Sequence, residues 1–85
     1  MNISNIPSEK FFFGSDGSVI KHLGELPAAL RAMSSDTFSS HVNEEKNDFH
    51  SWVSDVFEHS RLARNIKSSK SKEQMAKKVF IELFS

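Results

Sequence analysis

The chain has no cysteine and no tyrosine, and among its 85 residues only one tryptophan, two prolines and three glycines. Without thiols there can be no disulfide, thiolate metal site or thiol catalysis, so packing alone must hold the fold. Glycine occurs only at 14, 17 and 24, and none of these gives the spacing of a Walker or dinucleotide loop. No apolar run approaches the roughly 20 residues of a membrane span. The opening Met-Asn-Ile-Ser-Asn-Ile-Pro lacks the basic start and apolar stretch of a secretory leader. A cytoplasmic location without a membrane partner is the expectation.

Net charge is also missing, since 11 Lys and Arg balance 11 Asp and Glu. The balance is uneven along the chain: residues 1–60 carry four cations and nine carboxylates, and residues 61–85 carry seven and two. Such segregation gives either a basic surface for an acidic partner or two halves that neutralise each other. Overall neutrality favours the second, because nucleic-acid binders are usually basic as a whole.

What the chain does have is apolar and aromatic material, 38% hydrophobic residues with eight phenylalanines, enough for one domain with one core. Phe49, Trp52, Val53, Val56 and Phe57 fall at i, i+3, i+4, i+7 and i+8, one face of a helix that must be buried. Asn47 or Asp48 stands at its N-cap. Upstream, residues 1–9 read as a flexible lead, rich in Asn and Ser and carrying Pro7. Phe11–Phe13 and Ser18–Lys21 flank Gly14-Ser15-Asp16-Gly17, a hairpin pattern built on the Asp-Gly turn.

Leu23, Leu26, Leu30 and Met33 mark a first helix, starting near Gly24 because Pro27 is tolerated only in a first turn. Asp36 is expected to cap a short second helix carrying Phe38 and Val42, and Ser60 to cap one carrying Leu62, Ala63 and Ile66. Ser71-Lys72-Glu73-Gln74 has the capping-box spacing before a last helix with Met75, Ala76, Val79, Phe80 and Leu83. The expected fold is mainly α: a compact bundle of four to five short helices with a short N-terminal β-hairpin, forming one domain over residues 10–85. Trp52 is expected at its centre, with Phe49, Val53, Val56, Phe57, Leu26, Leu30, Phe38, Leu62, Val79 and Phe80 around it.

Asp16-Gly17, Glu25-Leu26, Leu30, Phe38, His41-Val42, Asn47-Asp48-Phe49, Trp52-Val53 and Leu62-Ala63 form a pattern of polar as well as apolar positions. It resembles a small helical domain of unknown function found in archaeal and bacterial proteins. The likeness covers about residues 11–66 and is densest from His41 to Val53. It implies a helical fold and a prokaryotic context, and it brings no activity, substrate or cofactor.

Four groups of residues are candidate sites. His41, Glu44, Glu45, Asp48 and His50 hold imidazole and carboxylate together, the material of a zinc site or an acid–base pair. No His-x-x-x-His or Glu-x-x-His spacing supports a metal there. The plainer expectation is that His41 hydrogen-bonds across a tight connector while Asp48 sits in a helix first turn. Histidines 22, 41, 50 and 59 could sense pH, with Asp55 and His59 expected to pair at i, i+4. Arg61, Arg64, Lys67, Lys70, Lys72, Lys77 and Lys78 form a basic strip able to meet phosphates, although no helix-turn-helix or stacking-aromatic motif accompanies it.

In the C-terminal run Val79-Phe80-Ile81-Glu82-Leu83-Phe84, five of six residues are apolar, more than one helix stripe can hide. The function expected is therefore a non-enzymatic interaction module, binding a protein partner or self-associating through Phe80, Ile81 and Phe84. The alternative is a nucleic-acid-associated or regulatory protein using Arg61, Arg64, Lys67, Lys70, Lys77 and Lys78. No cofactor and no small-molecule substrate are expected.

Overall fold

Chain reversal at Asp16-Gly17 starts the fold. In the computed structural model, which describes residues 6–84, Gly17 takes φ +90°. The Asp16 carboxylate accepts hydrogen bonds from the Ser18 backbone N–H at 3.0 Å and from the Ser18 hydroxyl at 2.6 Å. The turn brings β1 (Phe12–Phe13) antiparallel to β2 (Val19–Ile20), pairing Phe12 with Ile20 and Phe13 with Val19. The two-residue period of a strand then puts Phe12 and Ile20 inside and leaves Phe13 and Val19 exposed. Of the lead expected over residues 1–9, the first five lie outside the described residues, and Ser8–Lys10 is a turn of 3-10 helix.

Among the described residues five α-helices follow: α1 (Leu26–Ala32), α2 (Ser35–His41), α3 (Asp48–Phe57), α4 (Ser60–Ile66) and α5 (Lys72–Phe84). The expected mainly helical architecture with an N-terminal hairpin is the one observed. A 3-10 turn over Leu23–Glu25 precedes α1, and Pro27 sits in the first turn, where its missing N–H costs nothing. α5 packs along α1 and α4, and α3 packs on α4.

Local caps differ from expectation in two places. Ser34, not Asp36, caps α2: its hydroxyl accepts from the Thr37 N–H at 3.1 Å and donates to the Thr37 hydroxyl, leaving Asp36 in the first turn. At α4 the cap is His59, whose Nδ1 accepts from the Leu62 N–H at 3.4 Å, and Ser60 is the first helical residue. His59 is therefore turned away from the expected pairing with Asp55, and its Nε2 lies 3.9 Å from Glu82. The chain is carried round this corner by Glu58 in the left-handed conformation at φ 53°, where the N–H groups of both Glu58 and His59 turn back to the Val53 carbonyl.

The core is aromatic at its hairpin end. Phe12 stacks on Phe49 with centroids 4.6 Å apart and meets Trp52 edge-on at 5.6 Å. Trp52 in turn stands perpendicular to Phe57 at 5.0 Å. The indole is buried, as expected, and its N–H is not orphaned, because it donates to the Lys10 carbonyl at 2.8 Å. Leu26, Leu30, Leu62, Ile66, Met75, Ala76 and Val79 complete the core where α1, α4 and α5 meet. Val56, expected in the core, is half-buried at its margin. Phe80 departs further: it is 48% exposed and belongs to the surface, because α5 turns the stripe Met75, Ala76, Val79 and Leu83 inward and sets Phe80 about 100° away from Val79.

Candidate functional site: the exposed face of the last helix

The polar cluster at the α2–α3 connector closes on itself. Asn47 caps α3, its side-chain oxygen accepting from the His50 N–H at 3.0 Å while its amide donates to the carbonyls of Ile66 and Lys67. Asp48 follows in the first helical turn, where the helix dipole favours its charge. His41 Nδ1–H donates to Asp48 Oδ2 at 2.9 Å, and His41 Nε2 accepts from the Ser15 N–H at 3.0 Å. Both ring nitrogens are thus occupied, in the neutral tautomer protonated at Nδ1, and the imidazole latches the hairpin turn to α3.

Burial pushes the Asp48 carboxyl up, but hydrogen bonds from His41 and from Lys46, at 3.1 Å, outweigh it and hold the group below the usual carboxylate range. His50 faces another way, donating from Nδ1 to the Ala63 carbonyl at 2.8 Å. His41 and Asp48 are brought together while His50 is separately engaged. Among the described residues no three His, Asp or Glu side chains are placed to hold a metal ion. The arrangement observed is the cross-connector hydrogen bond that the plainer reading of these residues anticipates.

The basic strip is divided. Arg61 is paired with Glu82 at 2.8 Å, which raises the guanidinium pKa further and lowers that of the carboxylate. Lys72 is drawn inward to donate to the carbonyls of Arg31 at 3.2 Å and Met33 at 2.7 Å, closing the C-terminal end of α1. Lys78 donates to the Asn65 carbonyl near the end of α4. Arg64, Lys67, Lys70 and Lys77 form no ion pair among the described residues. Lys67 and Lys70 line a groove of about 300 Å³ together with Lys46, Glu44 and Glu45, so that groove is mixed in charge. No lysine or arginine of one half forms an ion pair with a carboxylate of the other among the described residues. The expected mutual neutralisation is therefore not made by direct contact.

Ser71 caps α5 as its spacing implies, its hydroxyl accepting from the Gln74 N–H at 3.1 Å. The Gln74 side chain reaches back one residue further than a standard capping box, to the Lys70 N–H at 3.4 Å. From this start the phase of the helix is set by Met75, Ala76 and Val79 against α1 and α4, and the C-terminal apolar run cannot all follow them inside. Phe80, Ile81 and Phe84 lie outward on the next face, 48%, 50% and 54% exposed. The Phe80 and Phe84 rings touch, centroids 5.1 Å apart, and the Arg31 guanidinium lies 5.9 Å from the Phe80 centroid, within reach of a cation–π interaction. Ile81 borders a shallow groove of about 250 Å³ with Asn65, Lys78 and Glu82.

Sequence reasoning missed Lys72 as a helix-closing group and Arg31 as a neighbour of Phe80. Neither has a local signal, because each acts on residues about 40 or more positions away in the chain. No helix is long and apolar enough to cross a membrane among the described residues. Comparison with family models, with curated proteins and with solved structures finds no match to this chain.

Proposed function

We propose that this protein is a non-enzymatic interaction module that docks a protein partner on the outward face of α5. The observation that carries the reading is the placement of Phe80, Ile81 and Phe84, each about half-exposed, on one face of one helix. Single or paired exposed apolar side chains are ordinary on a protein surface, whereas three large ones on one helix face, two of them in ring contact, form a patch of the kind that marks contact sites. The face also stands on a rigid support, since α5 is fixed by Val79 and Ala76 in the core and by the Arg61–Glu82 and Lys78–Asn65 links to α4. The groove at the polar connector is lined by polar and charged side chains and has no apolar face to dock on, and the ring nitrogens of His41 and the carboxylate of Asp48 beside it are already used.

A photoreactive phenylalanine analogue placed at position 84 tests the reading in cells of the source organism. Position 13 serves as the control, because Phe13 is exposed on the hairpin instead. The expected result is a discrete protein adduct from position 84, lost when Phe80→Ser is added, with no adduct from position 13. The Phe80→Ser/Phe84→Ser double variant is expected to melt like the wild type. Loss of folding in that variant would assign these rings to the scaffold, and equal labelling from both positions would show nonspecific stickiness. Either result overturns the proposal.

A further inference from the structure

Resting on the proposed use of the α5 face, we infer that its occupant is an acidic apolar segment of another protein, one that sets carboxylates around a short row of large aliphatic or aromatic side chains. The charge bordering the face carries this. Arg31 reaches across from α1 to the Phe80 ring. Lys77 lies three and four residues before Phe80 and Ile81, on the same side of the helix, and has no ion pair among the described residues. Lys78 shares the shallow groove with Ile81 and Glu82.

Against Arg31, Lys77 and Lys78, α5 offers two carboxylates, and each is paired with a cation outside that set. Glu82 is bound to Arg61, its side chain only 13% exposed, and Glu73, two turns before Phe80, lies 3.6 Å from Lys72. The face is thus an apolar patch with a positive rim. A ligand that buries the patch must bring negative charge to that rim or leave cations desolvated and unpaired.

A second copy of the chain fits this rim poorly. A two-fold contact sets the same patch against itself, so Arg31 and Lys77 would meet their own counterparts. A single-stranded nucleic acid fits poorly for another reason. Stacking needs open ring faces, whereas Phe80 and Phe84 pack on each other and Arg31 lies over Phe80.

The inference is tested by fluorescence anisotropy with three labelled probes and the full chain. The first probe is a synthetic amphipathic peptide with leucines at i, i+3, i+4 and i+7 and glutamates between them. The second carries lysine in place of every glutamate, and the third is oligo-uridylate. The glutamate peptide is expected to bind about tenfold or more tighter than the lysine peptide. Arg31→Glu/Lys77→Glu should reverse that order, and Phe84→Ser should weaken both peptides, with far-ultraviolet circular dichroism confirming that each variant is folded.

Equal binding of the two peptides, both weakened by Phe84→Ser, would overturn the acidic assignment and leave the docking face standing. If neither peptide binds, the acidic segment is excluded, and the crosslinking experiment decides separately whether the face is used. Tighter, salt-sensitive retention of oligo-uridylate would make the occupant a nucleic acid. A concentration-dependent dimer abolished by Phe84→Ser would make it a second copy. Both of these results also overturn the inference.

Discussion

α3 and α5 are both amphipathic and rich in phenylalanine, yet they use their rings in opposite ways. α3 hides Phe49, Trp52, Val53 and Phe57, and each ring meets another ring or a hydrogen-bond acceptor. α5 hides Met75, Ala76 and Val79 and leaves Phe80 and Phe84 outside, in contact with each other and bordered by cations. An aromatic side chain is scaffold when its helical phase matches the face that a neighbour covers, and surface when it does not. Residue type alone does not decide.

The contrast is most exposed to refutation in α3. Trp52→Ala should remove about 3–5 kcal/mol, and Phe49→Ala a similar amount. That is comparable to the whole stability of a small domain. Urea melts read both, and a Trp52 variant as stable as the wild type would erase the distinction between the two helices. Next in size is the cap of α3. Asn47→Ala should cost about 1–2 kcal/mol, because one side chain both caps the helix and satisfies two carbonyls at the end of α4. Asn47→Asp keeps the cap oxygen and loses the amide, so comparing the two variants separates the roles.

The latch at the start of α3 should show itself through pH. The folded state holds the Asp48 carboxyl below its ordinary value, so this group contributes stability that is present above about pH 4 and lost as pH falls through the depressed value. The stability gap between wild type and Asp48→Asn, followed by urea melts across that range, should be full near neutrality and shrink in acid. A gap that widened in acid would reverse the sign and remove the latch. The smallest effect belongs to α5, where Phe84→Ser should change stability by no more than about 0.5 kcal/mol. A loss approaching that of Phe49→Ala would sink the contrast.

Much of the fold was legible in the sequence because its signals are local. Asp16-Gly17 specified the hairpin, the spacing from Phe49 to Phe57 specified the buried face of α3, and Asn47 and Ser71 were readable as caps. The cap of α2 was not, because Ser34, Ser35 and Asp36 are all competent there. Ser34 takes the position where its hydroxyl also engages the Thr37 side chain.

Phe80 was misplaced in the core because five apolar residues among six are compatible with more than one helical phase. The choice was made by α1 and α4, which are distant in sequence. The same distance hid the tie from His41 to the Ser15 N–H, 26 residues away, and that from Lys72 to the end of α1. Of the candidate site, the residue identities could be read from the run itself, whereas its positive border could not, since Arg31 reaches it only through the packing of α1 on α5.

The bond from the indole N–H to the Lys10 carbonyl has a practical consequence. With one tryptophan and no tyrosine in the chain, intrinsic emission arises from a single lamp at the junction of the N-terminal segment with α3. Detachment of that segment would wet the indole and redden its spectrum while the helical signal stayed intact. Local fraying and global unfolding can therefore be told apart in one cuvette, with no label attached.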